Sequence, residues 1–556
     1  MRRGLTAGPV GLILRRQGLV RLAEWKTDRL SRLISLSGQV ANPAVLATES
    51  IATAIASAMV TIPLACALAL SVSAWAAPIA LTPLVLFFVP ELRLKDKVAQ
   101  RREDAERELP FFSVVVNVLA GAGVPLYSIF RDLQSSHIFE GLRREAQLAR
   151  RDVMILGMNP QDSLERLASS HPSGRFADFI LGYTSKVRSG GDVALYLSGE
   201  SGTLLRGLED GWVRYVSRVG IVGSIMIAAF GVVPLLLMVV GIFSPASSLI
   251  GLAVFTGVGL PLVTVGLVYM AGRMQPVREE SARGNPAESM LLAIPGALAA
   301  MFVGGAWASV GVGLLVFFLS YGLSVREQMA ETKGVESGLT RFLKDLLEYK
   351  RQDYDLTRAV LATQASAKYN RRFSRILSRV ASQLKAGVPL DEVKVECRSS
   401  LGRLAFLLLG EMSKSGGGTV DTVQQVSSFA DRMAEMKRNA VAEMKPYIAL
   451  AYASPLLLCF GTAFVGSVLS SVNGEAGSVI AGIHPGFALA SPIRAQLDQV
   501  SNLLIVVSAA SLGLISAKLT EFTVRNTLSA AANVAVALAA ISAMAVFGSR
   551  LLPHLL

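Results

Sequence analysis

The amino-acid sequence predicts an all-α, polytopic membrane protein with about nine transmembrane helices and two cytoplasmic helical-bundle domains from an internal parallel duplication. Three observations carry this expectation. The 556 residues are 52% hydrophobic with mean hydropathy +0.49, too apolar for a soluble globular protein. Long uncharged runs alternate with two islands rich in charge. The two islands also resemble each other at a shift of about 230 residues, the mark of a repeated module.

The elements follow in chain order. Residues 1–50 form a basic arm whose Leu19, Leu22, Leu30 and Leu33 give a helical stripe, with Arg21, Lys26, Arg29 and Arg32 elsewhere on it. Such an arm either lies on anionic headgroups or packs on a neighbour. Arg2 and Arg3 precede a short apolar run, but Arg15 and Arg16 close it early, so no cleavable signal is expected. Residues 51–90 are a hairpin of two spans, 51–71 and 74–90, turning through Ser71–Trp75. Residues 91–218 are the first bundle. A pair of spans, 219–243 and 248–272, fills 219–272, and 273–288 is a cytoplasmic linker. Spans 289–305 and 307–324 make a hairpin turning near Trp307. Residues 325–446 are the second bundle. Spans 447–470 and 499–517 occupy 447–517 and flank an external loop at 471–498. A last span covers 528–548. Each run is long enough, at about 1.5 Å per residue, to approach the roughly 30 Å of bilayer hydrocarbon.

Charge sets the expected orientation. With the N-terminus cytoplasmic and the C-terminus external, every Lys and Arg except Arg494 and Arg550 falls on the inner side. The formal charge of +13 is then a topological device, and no nucleic acid is expected as a partner.

The first island reads as six helices. One carries Phe111, Phe112, Val115, Val116 and Leu119 and opens at Pro110; Gly121 and Gly123 break it. Pro125 starts the second, and a charged helix covers about 138–155. Asn159-Pro160-Gln161-Asp162 caps and starts the fourth. Phe176, Phe179, Ile180, Tyr183 and Val187 mark the fifth, from Pro172-Ser173. The stretch Arg188-Ser189-Gly190-Gly191-Asp192 then stops one helix and starts another: its glycines permit positive φ, and Asp192 caps the next helix. The second island repeats the scheme and ends in Lys414-Ser415-Gly416-Gly417, followed by Gly418-Thr419 in place of an acidic cap. Its last helix, about 421–445, runs on towards the seventh span. Pairings across the shift include Phe112 with Phe342, Leu126 with Leu356, and Pro160 with Leu390.

Motifs for chemistry are missing. Ser413–Thr419 has glycines but no Gly-Lys-Ser/Thr, so it reads as a helix–helix turn and not a phosphate cradle. Cys66, Cys397 and Cys459 are scattered, the four His isolated, and no metal, cofactor or catalytic residue is expected. The spans hold no Asp, Glu, Lys, Arg or His, which counts against an ion-coupled transporter. Prolines within them either shape helix packing or allow flexing.

Glu108-Leu-Pro-Phe-Phe112, Ala122-Gly-Val-Pro-Leu126, Asn159–Leu164, Pro172–Phe176 and Arg188–Asp192 in the first half resemble one family, as do Lys368–Phe373, Ala386-Gly-Val-Pro-Leu390 and Lys414–Gly417 in the second. It is the type II secretion system F family, the integral-membrane platforms of type IV pilus and type II secretion machines, in its archaeal branch with the archaellum membrane protein. The resemblance covers about residues 50–548. It implies a non-enzymatic platform, archaellum or adhesive pilus, in the cell membrane's lipid bilayer. The implied partners are a hexameric cytoplasmic secretion ATPase, pilin or archaellin-like subunits, and a second copy of the chain in a homodimer. Candidate contacts for the ATPase are the basic Arg143, Arg144, Arg150 and Arg151 in the first island and Lys437 and Arg438 in the second. The alternative is a transporter or channel with two cytoplasmic regulatory domains.

Overall fold

A computed structural model describes residues 17–39, 41–71, 82–121, 123–133, 139–243, 245–277, 284–414, 416, 418–472 and 491–551. Among them the regular elements are all helical. The chain divides into two compact units, Met1–Leu205 and Arg206–Leu556.

The first unit begins with α1 (Gln17–Ser37), α2 (Pro43–Ser71) and α3 (Thr82–Gly121). The arm does not lie free. It packs on α2 and α3 by one face, burying Ala23 beside Ile51 and Leu30 and Ile34 beside Ala47 and Leu94. Lys26 is buried with it. Its ammonium donates to the Phe87 carbonyl and stands 3.2 Å from the centre of the Phe87 ring, so two acceptors replace the water it loses. Beside it Arg29 and Lys95 each pair with Glu91 at 2.8 Å.

α3 runs unbroken through Pro110, where a new helix was expected. Leu109, Phe112, Val116 and Leu119 form one buried stripe across that proline, and burial of the stripe outweighs the one backbone bond that proline removes. Then come α4 (Leu126–Leu133), α5 (Glu140–Met154), α6 (Pro160–Ser169), α7 (Gly174–Ser189) and the start of α8 (Val193–Ile227). With the outer half of α3 these are the six helices expected of the first island. Phe112 is their hub: the rings of Phe130, Phe139 and Phe179 surround it at centroid distances of 5.1, 6.1 and 6.3 Å.

The second unit continues with α9 (Val233–Phe243), α10 (Pro245–Val254), α11 (Leu260–Met274), α12 (Pro286–Gly304) and α13 (Ala306–Arg351). α14 (Leu356–Ser366), α15 (Arg371–Lys385), α16 (Ser400–Lys414), α17 (Val420–Val472), α18 (Ser491–Glu521) and α19 (Leu528–Leu551) complete it. Single π-helical turns, Ala228–Val232 and Phe255–Gly259, precede Pro234 and Pro261, which cannot donate to the previous turn. Among the described residues six helices are long and apolar enough to cross a membrane: Val193–Val239, Leu249–Met274, Ala306–Arg351, Val420–Gly466, Gln496–Glu521 and Leu528–Ala545. They contain six of the nine expected spans. Two shorter apolar helices, Pro43–Met59 and Pro286–Phe302, fall at the expected first and fifth. The second span and its turn overlap 72–81, outside the described residues. So does most of the external loop, 473–490; its last residues, 491–498, are already the first turns of α18, opened by Pro492.

α18 is the axis of the membrane bundle, with 72% of its apolar stretch buried against 22–33% for its five counterparts. Small residues let its neighbours close in: a Cβ at Gly513 would overlap Ala530 of α19.

α13 to α17 carry the second soluble module. Phe342, the counterpart of Phe112, is again a hub, with Phe373, Phe406 and Tyr369 at 5.5, 5.9 and 6.2 Å. Left-handed backbone positions recur in the same order. Gly123, Gly157 and Gly190 have φ of 81°, 64° and 67°, and Asp353, Gly387 and Gly416 take 66°, 87° and 116°. The repetition thus reaches the backbone angles, not only the hydrophobic pattern. It fails at one element: residues 387–399 are irregular where α6 would stand, so this module has five helices, not the expected six. Gly387, Pro389 and the β-branched Val388, Val393 and Val395 disfavour helix there. Gln383 instead holds the loop, its amide bonding both Lys394 N–H and Lys394 C=O at 3.1 Å.

Candidate functional site: capped modules and the grooves of α17

The motifs of the first island prove to be helix ends. Glu108, in α3, accepts from Gly141 N–H at 2.9 Å and Leu142 N–H at 2.8 Å. It therefore caps α5, whose own cap residue Phe139 offers no side-chain acceptor. Burial raises its pKa, and the two N–H donors oppose that shift. Asn159 caps α6 and Ser173 caps α7. Gly190 ends α7 at φ 67°, with Gly191 N–H bonded back to Lys186 C=O at 3.0 Å. Asp192 accepts from Leu195 N–H at 2.9 Å, as its position predicts. Ser189 bonds Lys186 C=O, and Arg188 pairs with Asp162 at 2.8 Å and Glu165 at 3.0 Å on α6.

In the second island Lys414 ends α16 and Gly416 is left-handed; Ser415 and Gly417 lie outside the described residues. The missing acidic cap has a substitute. Thr419 accepts from Thr422 N–H at 3.3 Å, and Thr422 accepts from Thr419 N–H at 2.9 Å, a reciprocal box that opens α17. The two Ala-Gly-Val-Pro-Leu stretches, by contrast, are not counterparts. One follows α3 and the other follows α15; the place of Gly123 is held in the second module by Asp353.

Beneath the first module's aromatic hub lies a buried charge cluster. Arg101 holds Glu145 with two bonds, 2.8 and 2.6 Å, and donates to Leu36 C=O at 2.7 Å, capping α1. His171 lies against it, Nε2 3.7 Å from Glu145, with Nδ1 accepting from Ser173 N–H at 3.0 Å. Burial pushes the His171 pKa down to about 4 despite Glu145.

The six basic candidates separate. Arg144 and Arg150 on α5 and Arg438 on α17 are exposed. Arg143 is half-buried. Arg151 pairs with Asp152 at 2.8 Å. Lys437 turns inward to Glu336 of α13 at 3.0 and 3.2 Å, joining two helices of the second module. That pair lines a groove of about 980 Å³ between α13, α17 and the turn joining α18 to α19, with Lys333, Arg438, Lys445 and Glu521 around it. A smaller groove of about 490 Å³ separates α17 from Glu209 and Trp212 of α8.

The α18–α19 turn was not foreseen. Phe522 adopts φ 55° with its ring against Trp212 at 5.3 Å and Tyr215 at 6.2 Å. Lys518 donates to Phe522 C=O at 2.8 Å and to Gln275 at 2.7 Å. Thr527 donates to Phe318 C=O at 2.6 Å, and Lys333 pairs with Glu521. Aromatic residues at a span boundary beside a Lys near the helix end are the only sequence signal of it. Buried Cys397 has its thiol pKa pushed up to about 11 by desolvation, which makes it a poor nucleophile. Among the described residues no group of three or more His, Cys, Asp or Glu is placed to hold a metal.

Comparison with known proteins agrees with the first module. An uncharacterized protein of Methanocaldococcus jannaschii, MJ1286, is 21% identical over 414 residues, 66% of this chain and 69% of its own length. No solved structure matches. The profile of type II secretion system protein F matches residues 112–241, from the hub phenylalanine through the capped helices to the first long span. Residues 112–241 thus carry a domain of the type II secretion system protein F type.

Proposed function

We propose that the chain is a non-enzymatic platform of a type IV pilus-like filament-assembly machine, coupling a cytoplasmic secretion ATPase to insertion of pilin-like subunits. The observation that carries this reading is the continuity of α13 and α17, single helices of 46 and 53 residues whose one end is apolar and whose other end builds the second module. A displacement imposed on the module by a soluble motor reaches the bilayer through such helices without an intervening loop. Lys437–Glu336 ties the two at the module's root. The domain limits given above and a cytoplasmic N-terminus complete the proposal, on the strength of the one-sided Lys and Arg.

Arg144 and Arg438 are the contact positions we assign to the ATPase, because both are exposed. The test is co-purification of the ATPase with the full chain carrying Arg144→Glu and Arg438→Glu. Loss of the ATPase with unchanged platform yield is expected. Undiminished capture would remove both residues, and failure of the wild-type chain to capture any secretion ATPase would remove the function.

A further inference from the structure

Met154, Ile155 and Leu156 form an apolar tip where α5 ends. They are 67%, 75% and 53% exposed, three large apolar side chains in succession on a module whose other exposed large apolar residues, such as Leu181 and Leu195, stand singly. Isolated exposed apolar residues need no explanation, but a contiguous set does. Arg150 and Arg151 precede the tip by one turn, and Arg166 flanks it through Asp152.

The direction of α5 shows where the tip goes. Gly141 lies on Asp104 of α3, and Glu145 is held by Arg101. As α5 advances four residues, its partner on α3 steps back three, so α5 returns along α3 towards the apolar end of that helix. From Arg101 to Pro90 is about 16 Å along α3, and from Glu145 to Met154 about 14 Å along α5, at 1.5 Å per residue. The tip therefore descends close to the level at which α3 changes from Leu-Phe-Phe-Val-Pro90 to charge. That level carries an interfacial signature. Glu91 is ringed by Arg29 and Lys95, and half-exposed Trp25 lies under Arg29, 5.3 Å from its guanidinium. Aromatic residues and cations of this kind mark the headgroup layer.

We infer that Met154–Leu156 is a membrane-dipping tip, seated among anionic phospholipid headgroups by its apolar side chains and by Arg150 and Arg151. An apolar wedge flanked by cations fits a surface that is fatty below and negative above. The occupant is thus lipid and not a protein, and the two outer arginines of α5 face the bilayer while Arg144, about 15 Å back from the tip along the helix, does not. This goes beyond the platform reading and does not depend on it.

The test uses the full chain in proteoliposomes, its three native cysteines replaced by alanine and one environment-sensitive fluorophore attached at Ile155→Cys or, for reference, Arg144→Cys. Vesicles are phosphatidylcholine alone or with phosphatidylglycerol. The label at 155 should be quenched by nitroxide lipid and shielded from iodide at least about twofold relative to 144. Phosphatidylglycerol should increase the shielding, and Arg150→Glu with Arg151→Glu should abolish that increase. Equal iodide access at 155 and 144 in both vesicles overturns the inference. So does a phosphatidylglycerol effect that survives the double reversal, or shielding that appears only when the secretion ATPase is added, which would make the tip a protein-docking surface.

Discussion

Removing Glu145 should unlock the first module. Its carboxylate is 2% exposed and the Arg101 guanidinium 9%, so neither is screened by water, and both bonds are charge-assisted and short. Glu145→Ala leaves a buried cation facing only the neutral carbonyls of Leu36 and Ser35. Breaking a pair of this kind costs about 3–5 kcal/mol, chiefly because the remaining charge stays desolvated. At about 1.4 kcal/mol per tenfold, amide exchange through opening of α5 should accelerate by roughly two to three and a half orders of magnitude. The assay is hydrogen–deuterium exchange with mass spectrometry on the full chain in nanodiscs, read on peptides from α5 and from α1, which Arg101 also caps. Peptides from α14 to α16 serve as the reference. The companion variant, Arg101→Met with Glu145→Leu, removes both charges and should recover most of the protection. Wild-type exchange in Glu145→Ala would refute the reasoning, as would a double variant no better than the single one.

Three further outcomes follow from the same geometry. His171 is held neutral in the fold down to about pH 4, below its ordinary 6.5. The unfolded chain therefore binds its proton first, and stability should fall as pH drops from 6.5 towards 4, by up to about 3 kcal/mol. His171→Asn, which keeps an acceptor for Ser173 N–H, should flatten that part of the thermal-stability profile. Gly190 and Gly418 have nearly equal φ, 67° and 65°, but a Cβ at Gly190 meets nothing while one at Gly418 meets Met412 and Leu356. Gly190→Ala should cost about 1–2 kcal/mol from backbone strain alone, and Gly418→Ala measurably more in a paired denaturation. Gly513→Leu should abolish folded, monodisperse protein in detergent, since α18 and α19 meet there backbone to backbone; normal yield would show that the contact is not needed.

The fold class, the caps and the two aromatic hubs were legible because each is written locally. Asn159, Ser173 and Asp192 announce helix starts whatever surrounds them, and Phe112 and Phe342 stand at matching places in matching stripes. The failures are tertiary. Pro110 is a helix starter by propensity, yet a stripe buried on both sides of it keeps α3 whole. Ala-Gly-Val-Pro-Leu encodes the same left-handed stop at Gly123 and Gly387, with N–H bonds back to Ala120 and Leu384, and such a stop can be used after any helix. Its recurrence is therefore no guide to which helices correspond, and Asp353, the counterpart of Gly123 at the shift of 230, carries no glycine signal. Of the candidate cations, Lys437 could not be told from Arg438 by sequence, because only the partner helix supplies Glu336.

The two modules share a backbone plan, and one of their differences falls where α5 ends. In the first module α5 runs into the exposed Met154-Ile155-Leu156, then α6, whose Ser163 donates to Ala149 C=O at 2.8 Å and steadies the end of α5. In the second, the corresponding helix ends in Leu384-Lys385-Ala386, with Leu384 buried and no sixth helix behind it. A duplication that preserves left-handed turns and the hub phenylalanine preserves what folding requires. What it leaves free to diverge is what folding does not require, and an apolar tip exposed to water is a burden unless something covers it. The tip and its supporting helix are thus features of the first module without a counterpart in the second, and the family profile matches that same first module.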